Sequence, residues 1–363
     1  KAELADKLMM LDAEGAFATI RKNLESWNMG EVADFEKYLR NFWTKVHNFE
    51  SCNAMTAGQV RHVGNSMSSY FVSYYEQPDG PRDRFICDKE THQWRLATDI
   101  EKDTVGLGWG DYDGQIKQGK INSNISYVYE QSKKSWRMAT SDDVRDFISV
   151  KAIYDSLAPN ESVIFVLRHA ERTDDTGEKG HLTDNGKKQS QQLGAVFKGA
   201  DIYFGYSGYT RTLETCENIA IGAGISNASP VVMDAIIGSW YVKNDSKMEA
   251  YNSANGGLWN VMSRYAYMGG FTDALYDLES RSKELIFDEL VPKISQMGRI
   301  SILISHDQLV EPLTVYCSGG KVNLRYFENQ NWINYLAGVA IIVDSSGNVR
   351  YEPVKGLDSG SMH

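Results

Sequence analysis

The sequence predicts an α/β protein: a mostly parallel sheet flanked by helices, preceded by N-terminal helices and a small β-repeat module. Three observations carry this reading. Residues 163–167 and 302–305 are short runs dominated by Val, Ile and Leu, the mark of strands buried on both faces. Each run leads at once to a histidine, His169 behind Arg168 and His306 ahead of Asp307. Segments of helical periodicity alternate with such runs, which implies βαβ crossovers. In an open parallel sheet the ligand crevice lies just past the carboxyl ends of the strands. The two histidines therefore mark the place where chemistry is expected.

At 363 residues the chain is long enough for two domains, or one with an appendage. Its composition, 42% apolar and 24% charged, is that of a globular protein without low-complexity blocks. A formal net charge of −10 argues against nucleic-acid or anionic-membrane binding, which needs basic stripes. No apolar run approaches the ~20 residues that span a bilayer. Opening at Lys1 rather than Met points to an upstream segment cleaved or left out. The four cysteines (Cys52, Cys87, Cys216, Cys317) form no metal-type pairs. A Cys52–Cys87 bridge in an oxidising compartment and four buried thiols are both open readings.

The elements run as follows. Residues 4–49 carry apolar positions spaced near three and four, broken at Gly30, so residues 1–50 form a helical segment. Residues 51–145 form a β-rich module, rich in Tyr, Ser, Asn and Gly. It contains an internal repeat: Trp94-Arg95-Leu96-Ala97-Thr98 recurs as Trp136-Arg137-Met138-Ala139-Thr140, each before an acidic stretch. Its tryptophans read as the core of a small β-unit that needs its neighbour, or else as a surface for a protein or polysaccharide partner. From 146 to 363 helices are expected over 146–157, 185–197, 212–220, 275–290 and 309–316. Strands are expected over 163–167, 202–206, 300–304, 338–343 and 349–353. An aromatic region at about 234–285, with Gly256-Gly257 and Gly269-Gly270, interrupts the alternation.

Cleaving a phosphomonoester requires fixed cations for the phosphoryl oxygens, an in-line nucleophile and an acid for the leaving oxygen. Arginine suits the first task, because its planar fork holds two oxygens and keeps its proton. Neutral imidazole suits the second and a protonated aspartic acid the third. Arg168-His169-Ala170-Glu171-Arg172, Ser207-Gly208-Tyr209-Thr210-Arg211 and Ser305-His306-Asp307 supply these groups at three strand ends. Ser207 and the amides of the following helix start add hydrogen bonds to an anion. His181 reads as a loop residue near the mouth.

These segments resemble the histidine phosphatase superfamily, which includes the phosphoglycerate mutases. Arg168-His169-Ala170 is similar to that family's Arg-His-Gly. Leu182-Thr183 with Gly186 and Gln189 is similar to its Leu-Thr-x-x-Gly-x-x-Gln. Ser207, Arg211 and Thr215 match its Ser-x-x-x-Arg-x-x-x-Thr, and His306 its last strand-end histidine. The resemblance spans residues 162–353. It implies His169 as nucleophile, with Arg168, Arg211 and His306 clamping phosphate. Arg172 and the pair His306-Asp307 match the acid-phosphatase branch, in which the aspartate protonates the leaving group. The mutase-type acid, a Glu after the second arginine, has no counterpart in residues 234–240. The family also places its substrate-selecting lid here, and few cations stand in it (Lys243, Lys247, Arg264), which argues against a polyphosphate. Ala170 departs from the family's Gly and would strain a left-handed backbone. Separately, the Trp-Arg-apolar-Ala-Thr unit loosely resembles repeats of secreted proteins from fibre-degrading bacteria.

The expectation is thus a phosphomonoester hydrolase with a phosphohistidine intermediate. His169, Asp307 and His306 are its catalytic residues, and Arg168, Arg172, Arg211 and Ser207 bind phosphate. The substrate is a small molecule, and the chemistry calls for neither metal nor cofactor. A secreted, periplasmic or cell-surface location is expected. The alternatives are a surface interaction protein with a vestigial phosphate site, and a phosphomutase or phosphotransferase.

Overall fold

The computed structural model describes residues 52–55, 57–58, 60–62, 84–92, 94–120 and 122–356. The helices expected over residues 4–49 lie outside them. The chain divides into two compact units between Ala139 and Thr140.

In the first unit each copy of the repeat closes a three-stranded antiparallel sheet, Val60–His62, Arg84–Cys87 and Trp94–Leu96 in one, Ile116–Gln118, Ser126–Glu130 and Ser135–Met138 in the other. The registers agree, Cys87 opposite Trp94 and Tyr129 opposite Trp136. The Gly58 and Gly114 amides donate to the carbonyls of Cys87 and Tyr129 at 2.7 and 2.9 Å. Cys87 is bridged to Cys52, whereas Tyr129 packs on Trp136 with centroids 5.1 Å apart.

The acidic residues after each copy have a structural cause. The Thr98 amide donates to Glu101 (2.8 Å) while the Glu101 amide donates to the Thr98 hydroxyl (3.2 Å). Thr140 and Asp143 form the same reciprocal cap at the head of the second unit. A threonine followed three residues on by an acid satisfies amides that a helix start leaves unpaired. The first cap opens a helix, Asp99–Leu107, where the sequence promised only an acidic stretch.

The second unit is built on a seven-stranded sheet. Its strands are β1 (Ile148–Ser149), β2 (Glu161–Arg168), β3 (Tyr203–Tyr206), β4 (Val231–Val232), β5 (Ile300–Ser305), β6 (Gly338–Asp344) and β7 (Val349–Lys355). Their spatial order is β4-β3-β5-β2-β6-β7-β1. The neighbours β4–β3, β3–β5, β5–β2 and β7–β1 are parallel, and β6 runs antiparallel to both β2 and β7. Alternate residues of the central strands feed two cores: Ile164 and Val166 one, Val163, Phe165 and Leu167 the other. Both faces being covered, period-two alternation vanishes and the strands read as continuous apolar runs.

The crossover helices are α1 (Val150–Ser156), α2 (Asp184–Gly194), α3 (Thr210–Ala223) and α4 (Asp307–Cys317). Two expectations need correction. The helix expected over 146–157 starts only at Val150, because Ile148 and Ser149 add an edge strand beside β7. The helix expected over 275–290 starts at Leu278, capped by Asp277, and widens into a π-helix from Glu284 to Leu290. The aromatic region holds helices Asp245–Ala254 and Leu258–Met268. Gly256 and Gly257 turn the corner between them with φ of +75° and +102°, so that pair serves as a bend. Tyr241 and Tyr265 are buried there, within the larger core.

One core residue stands out. Glu311 of α4 is fully buried, and neither carboxylate oxygen has a hydrogen-bond partner. Burial, then the negative charge of Asp307 one turn earlier, pushes its pKa well above 4.5. The fold therefore holds it neutral, and its contribution is sensitive to base. Stability is full below the unfolded-state pKa and falls above it by up to ~1.4 kcal/mol per pH unit. Denaturant titrations should show Glu311→Gln and Glu311→Leu gaining on wild type between pH 5 and pH 8, a range of about three units above the usual Glu value. A gap independent of pH would refute the neutral carboxyl.

Candidate active site

The strand order assembles the site. β5 lies between β2 and β3, with Ser305 opposite Arg168 and Ile304 opposite Tyr206. The residues that follow these three strand ends, His306, His169 and Ser207, are thus brought side by side. The amide of His169 continues the ladder by donating to the Ser305 carbonyl at 3.0 Å.

The two imidazole rings lie edge to face, 5.5 Å between centroids. His169 is 2% exposed. Its Nδ1 sits 2.7 Å from the Ala170 carbonyl oxygen. A carbonyl only accepts, so Nδ1 carries the proton and Nε2 retains its lone pair. His306 has the opposite arrangement. Arg211 Nη2 donates to its Nδ1 at 3.3 Å, which leaves the proton on Nε2 for the Ser207 hydroxyl at 2.8 Å. Ser207 passes its own proton toward Thr212 (3.1 Å), and Thr212 donates to the Tyr209 carbonyl (2.8 Å). This directed chain fixes the His306 ring. It also spends the Nε2 proton of His306 on Ser207, so these two expected phosphate contacts are bonded to each other.

Arg168 and Arg211 are buried and each lies on a tyrosine, Arg168 over Tyr335 and Arg211 over Tyr209, both at 4.6 Å. Arg168 donates to the Ile333 carbonyl (2.8 Å) and pairs with Asp307 (3.2 Å). Arg211 donates to the carbonyls of Thr176 and Gly177, while its buried Nε–H has no acceptor. An orphaned guanidinium N–H is costly to bury and is what an anion would satisfy. Arg172 is only half-buried and donates to the Thr173 carbonyl at 2.7 Å. Its charge still reaches the pocket and helps depress the proton affinity of Arg168, Arg211 and His306.

The spacing of the motifs has a packing explanation. Thr215, one turn beyond Arg211, accepts the Ala170 amide at 3.2 Å and donates to the Arg211 carbonyl at 2.7 Å. It thereby joins the histidine loop to the arginine helix. Thr183 caps α2 and donates to Glu171 at 2.6 Å, and Asn185 binds the other oxygen of that carboxylate at 2.9 Å. A Cβ on Gly186 would lie 2.1 Å from the Glu171 carbonyl oxygen, so only glycine permits the first turn of α2 to close on this loop. Ala170 is not among the residues with a left-handed backbone, and its methyl packs on Leu182 and Leu336. The departure from glycine there carries no strain. His181 is held by Glu214 at 2.7 Å and staples its own loop.

Sequence reasoning singled out the aromatic region that contains Trp259 but missed Trp332, with which it forms an aromatic wall. Trp332 Nε1 donates to Asp307 Oδ2 at 3.1 Å, and Trp259 stacks on Trp332 at 5.7 Å. These residues lie far apart in the chain and carry no motif. Tyr209 could have been found, since it stands inside the Ser207–Arg211 segment.

Electrostatics set the protonation states. Burial, then the charge of Arg168, lowers His169 well below the ordinary histidine range, outweighing its bond to Ala170. Burial and Arg211 bring His306 down to about 3. Burial alone would raise Asp307, but the charge of Arg168 and the Trp332 N–H overcome it and hold the carboxyl at about 2. The pocket is thus two neutral imidazoles, two buried guanidinium groups and one carboxylate. Among the described residues no cluster of three or more His, Cys, Asp or Glu side chains is arranged to hold a metal ion.

No protein-family model matches the chain, and no curated protein does. Matching solved structures include a phosphoglycerate mutase from Bacillus anthracis str. Sterne (16% identity, 55% of this chain and 93% of that one, TM-score 0.36). A mycobacterial glucosyl-3-phosphoglycerate phosphatase matches at 15% identity over 55% of this chain and 100% of its own, with a TM-score of 0.35. The protein histidine phosphatase SixA in complex with tungstate matches at 17% identity over 52% and 94%, with a TM-score of 0.28.

Proposed function

We propose that this chain hydrolyses phosphomonoesters through a phosphohistidine on His169. One observation carries the reading: a buried imidazole whose Nδ1 is tied to a carbonyl offers its Nε2 lone pair beside two buried arginines and a carboxyl group. Nε2 attacks phosphorus as the ester P–O bond breaks, and the leaving oxygen takes a proton from Asp307. Water then attacks the phosphohistidine, Asp307 takes up its proton, the P–N bond breaks and orthophosphate leaves a neutral His169. Arg168 and Arg211 hold the equatorial oxygens, Arg172 adds charge at the rim, and His306 and Ser207 become donors to the phosphate only by giving up the hydrogen-bond chain they form with each other and Thr212.

Asp307 must be protonated for the first step although Arg168 holds it at about 2. A bound phosphate draws on the charge of Arg168 and adds its own, so the carboxyl gains proton affinity when substrate is present. The substrate is a small phosphomonoester. The Cys52–Cys87 bridge supports placement in an oxidising compartment, whether secreted, periplasmic or at a cell surface. Among the described residues no helix is long and apolar enough to cross a membrane.

Three experiments test the reading. Rapid quench with a labelled ester should trap a base-stable, acid-labile phosphoenzyme in wild type and none in His169→Ala. Asp307→Asn should slow formation of the phosphoenzyme from alkyl phosphates by about 10²–10⁴-fold, and from p-nitrophenyl phosphate far less because its leaving oxygen needs no proton. Equal losses on both would remove Asp307 as the acid, and phosphoryl transfer to an added alcohol in preference to water would favour a transferase. In the pH profile, activity should decline as pH rises and Asp307 loses its proton in the complex. It should show no acid limb near the usual histidine value of about 6.5, because His169 stays neutral far below it. An acid limb at that value would contradict the protonation states derived above.

A further inference from the structure

The loop over residues 331–337 has two sides, and only one belongs to the site described above. On its inner side Trp332 bonds Asp307, Tyr335 covers Arg168, and the Ile333 carbonyl accepts from Arg168. On its outer side Asn331, Trp332, Asn334 and Ala337 line a separate cleft of about 540 Å³, completed by Asn323, Asp146, Phe147 and Lys355. Arg168, His169, Arg211 and His306 are not part of that lining.

We infer that this outer cleft binds a neutral polyhydroxylated molecule, a mono- or disaccharide, and that its occupancy reaches Asp307 through Trp332. The volume falls within the ~300–1,000 Å³ of small-molecule sites. Three carboxamides converge on it. An amide both donates and accepts, as a hydroxyl does, so an array of them matches vicinal hydroxyl groups better than it matches an ion. Asp146 and Lys355 contribute one charge of each sign, so the lining itself carries no net charge. Phe147, partly exposed, supplies an apolar surface for the C–H face of a sugar ring, and the buried Trp332 forms the wall behind it. The amides are also oriented: Asn329 donates to the Asn323 oxygen at 2.9 Å, and the Tyr335 amide donates to the Asn334 oxygen at 3.1 Å. A ligand seated on Asn331 and Asn334 presses on the segment that carries Trp332. That indole N–H is one of the groups that hold Asp307 as a carboxylate.

The test is a titration of the full chain, ¹⁵N-labelled, with D-glucose, N-acetyl-D-glucosamine and cellobiose. The readout is the indole N–H resonance of Trp332, assigned by its loss in Trp332→Phe. At least one sugar should move this resonance saturably, and Asn323→Leu, a change at an exposed position, should weaken binding by about tenfold. Three results would overturn the proposal: no sugar binds, binding is unchanged in Asn323→Leu, or glycine or orthophosphate moves the resonance while the sugars do not. Binding that leaves the Trp332 resonance in place would sever the link to Asp307. No step of this test requires catalysis, so a failure of the phosphohistidine reading would appear separately, in the quench experiment.

Discussion

Everything in the second unit depends on where β5 is inserted. The chain lays down β2 and β3 early, with space for one strand between them, and fills that space only after the aromatic region has been traversed. Parallel ladders on both sides of β5 fix its register against both neighbours. A slip of one residue would turn Ile302 and Ile304 to the opposite face and carry His306 away from Arg211. The buried apolar faces forbid that slip, so the packing of the sheet is also what sets the geometry of the pocket.

The pocket in turn is a problem in desolvated charge. Two arginines are taken out of water, and the protein compensates with backbone carbonyls, one carboxylate and the faces of two tyrosines. Removing one partner of such an arrangement is expensive because it strands a buried ion. The two histidines sit in the same positive field and answer it by staying neutral. Neutral imidazole is the form with a lone pair to offer, so the electrostatics that organise the arginines also keep the Nε2 of His169 free of a proton.

Much of this could be read along the chain. Strands covered on both faces must be continuously apolar, which is why β2, β5 and β6 were legible and why the residues behind them could be marked. Thr183, Gly186 and Thr215 recur at fixed spacing because each occupies a position where a cap, a close approach or a one-turn bridge is required. The helices Asp245–Ala254 and Leu258–Met268 were not legible. Asp245–Ala254 is largely polar and buries only Met248, so it leaves little 3.6-residue pattern, and the buried face of Leu258–Met268 (Val261, Met262, Tyr265, Ala266) is hidden in the sequence among the aromatic residues around it. The strand Val231–Val232 is too short to leave any pattern.

The sequence by itself determined the class of fold and the residues expected at the strand ends, because burial and backbone geometry impose patterns that are local in the chain. Only the tertiary structure decided which groups touch. Trp332 on Asp307, Tyr335 on Arg168 and Ser207 on His306 join residues 25 to 167 positions apart, counted from their numbers. Such contacts follow from strand order and loop path, and no local periodicity records them. The neutral state of His169 likewise belongs to the fold, because its physical causes, exclusion of water and the nearness of two arginines, exist only once the sheet has closed.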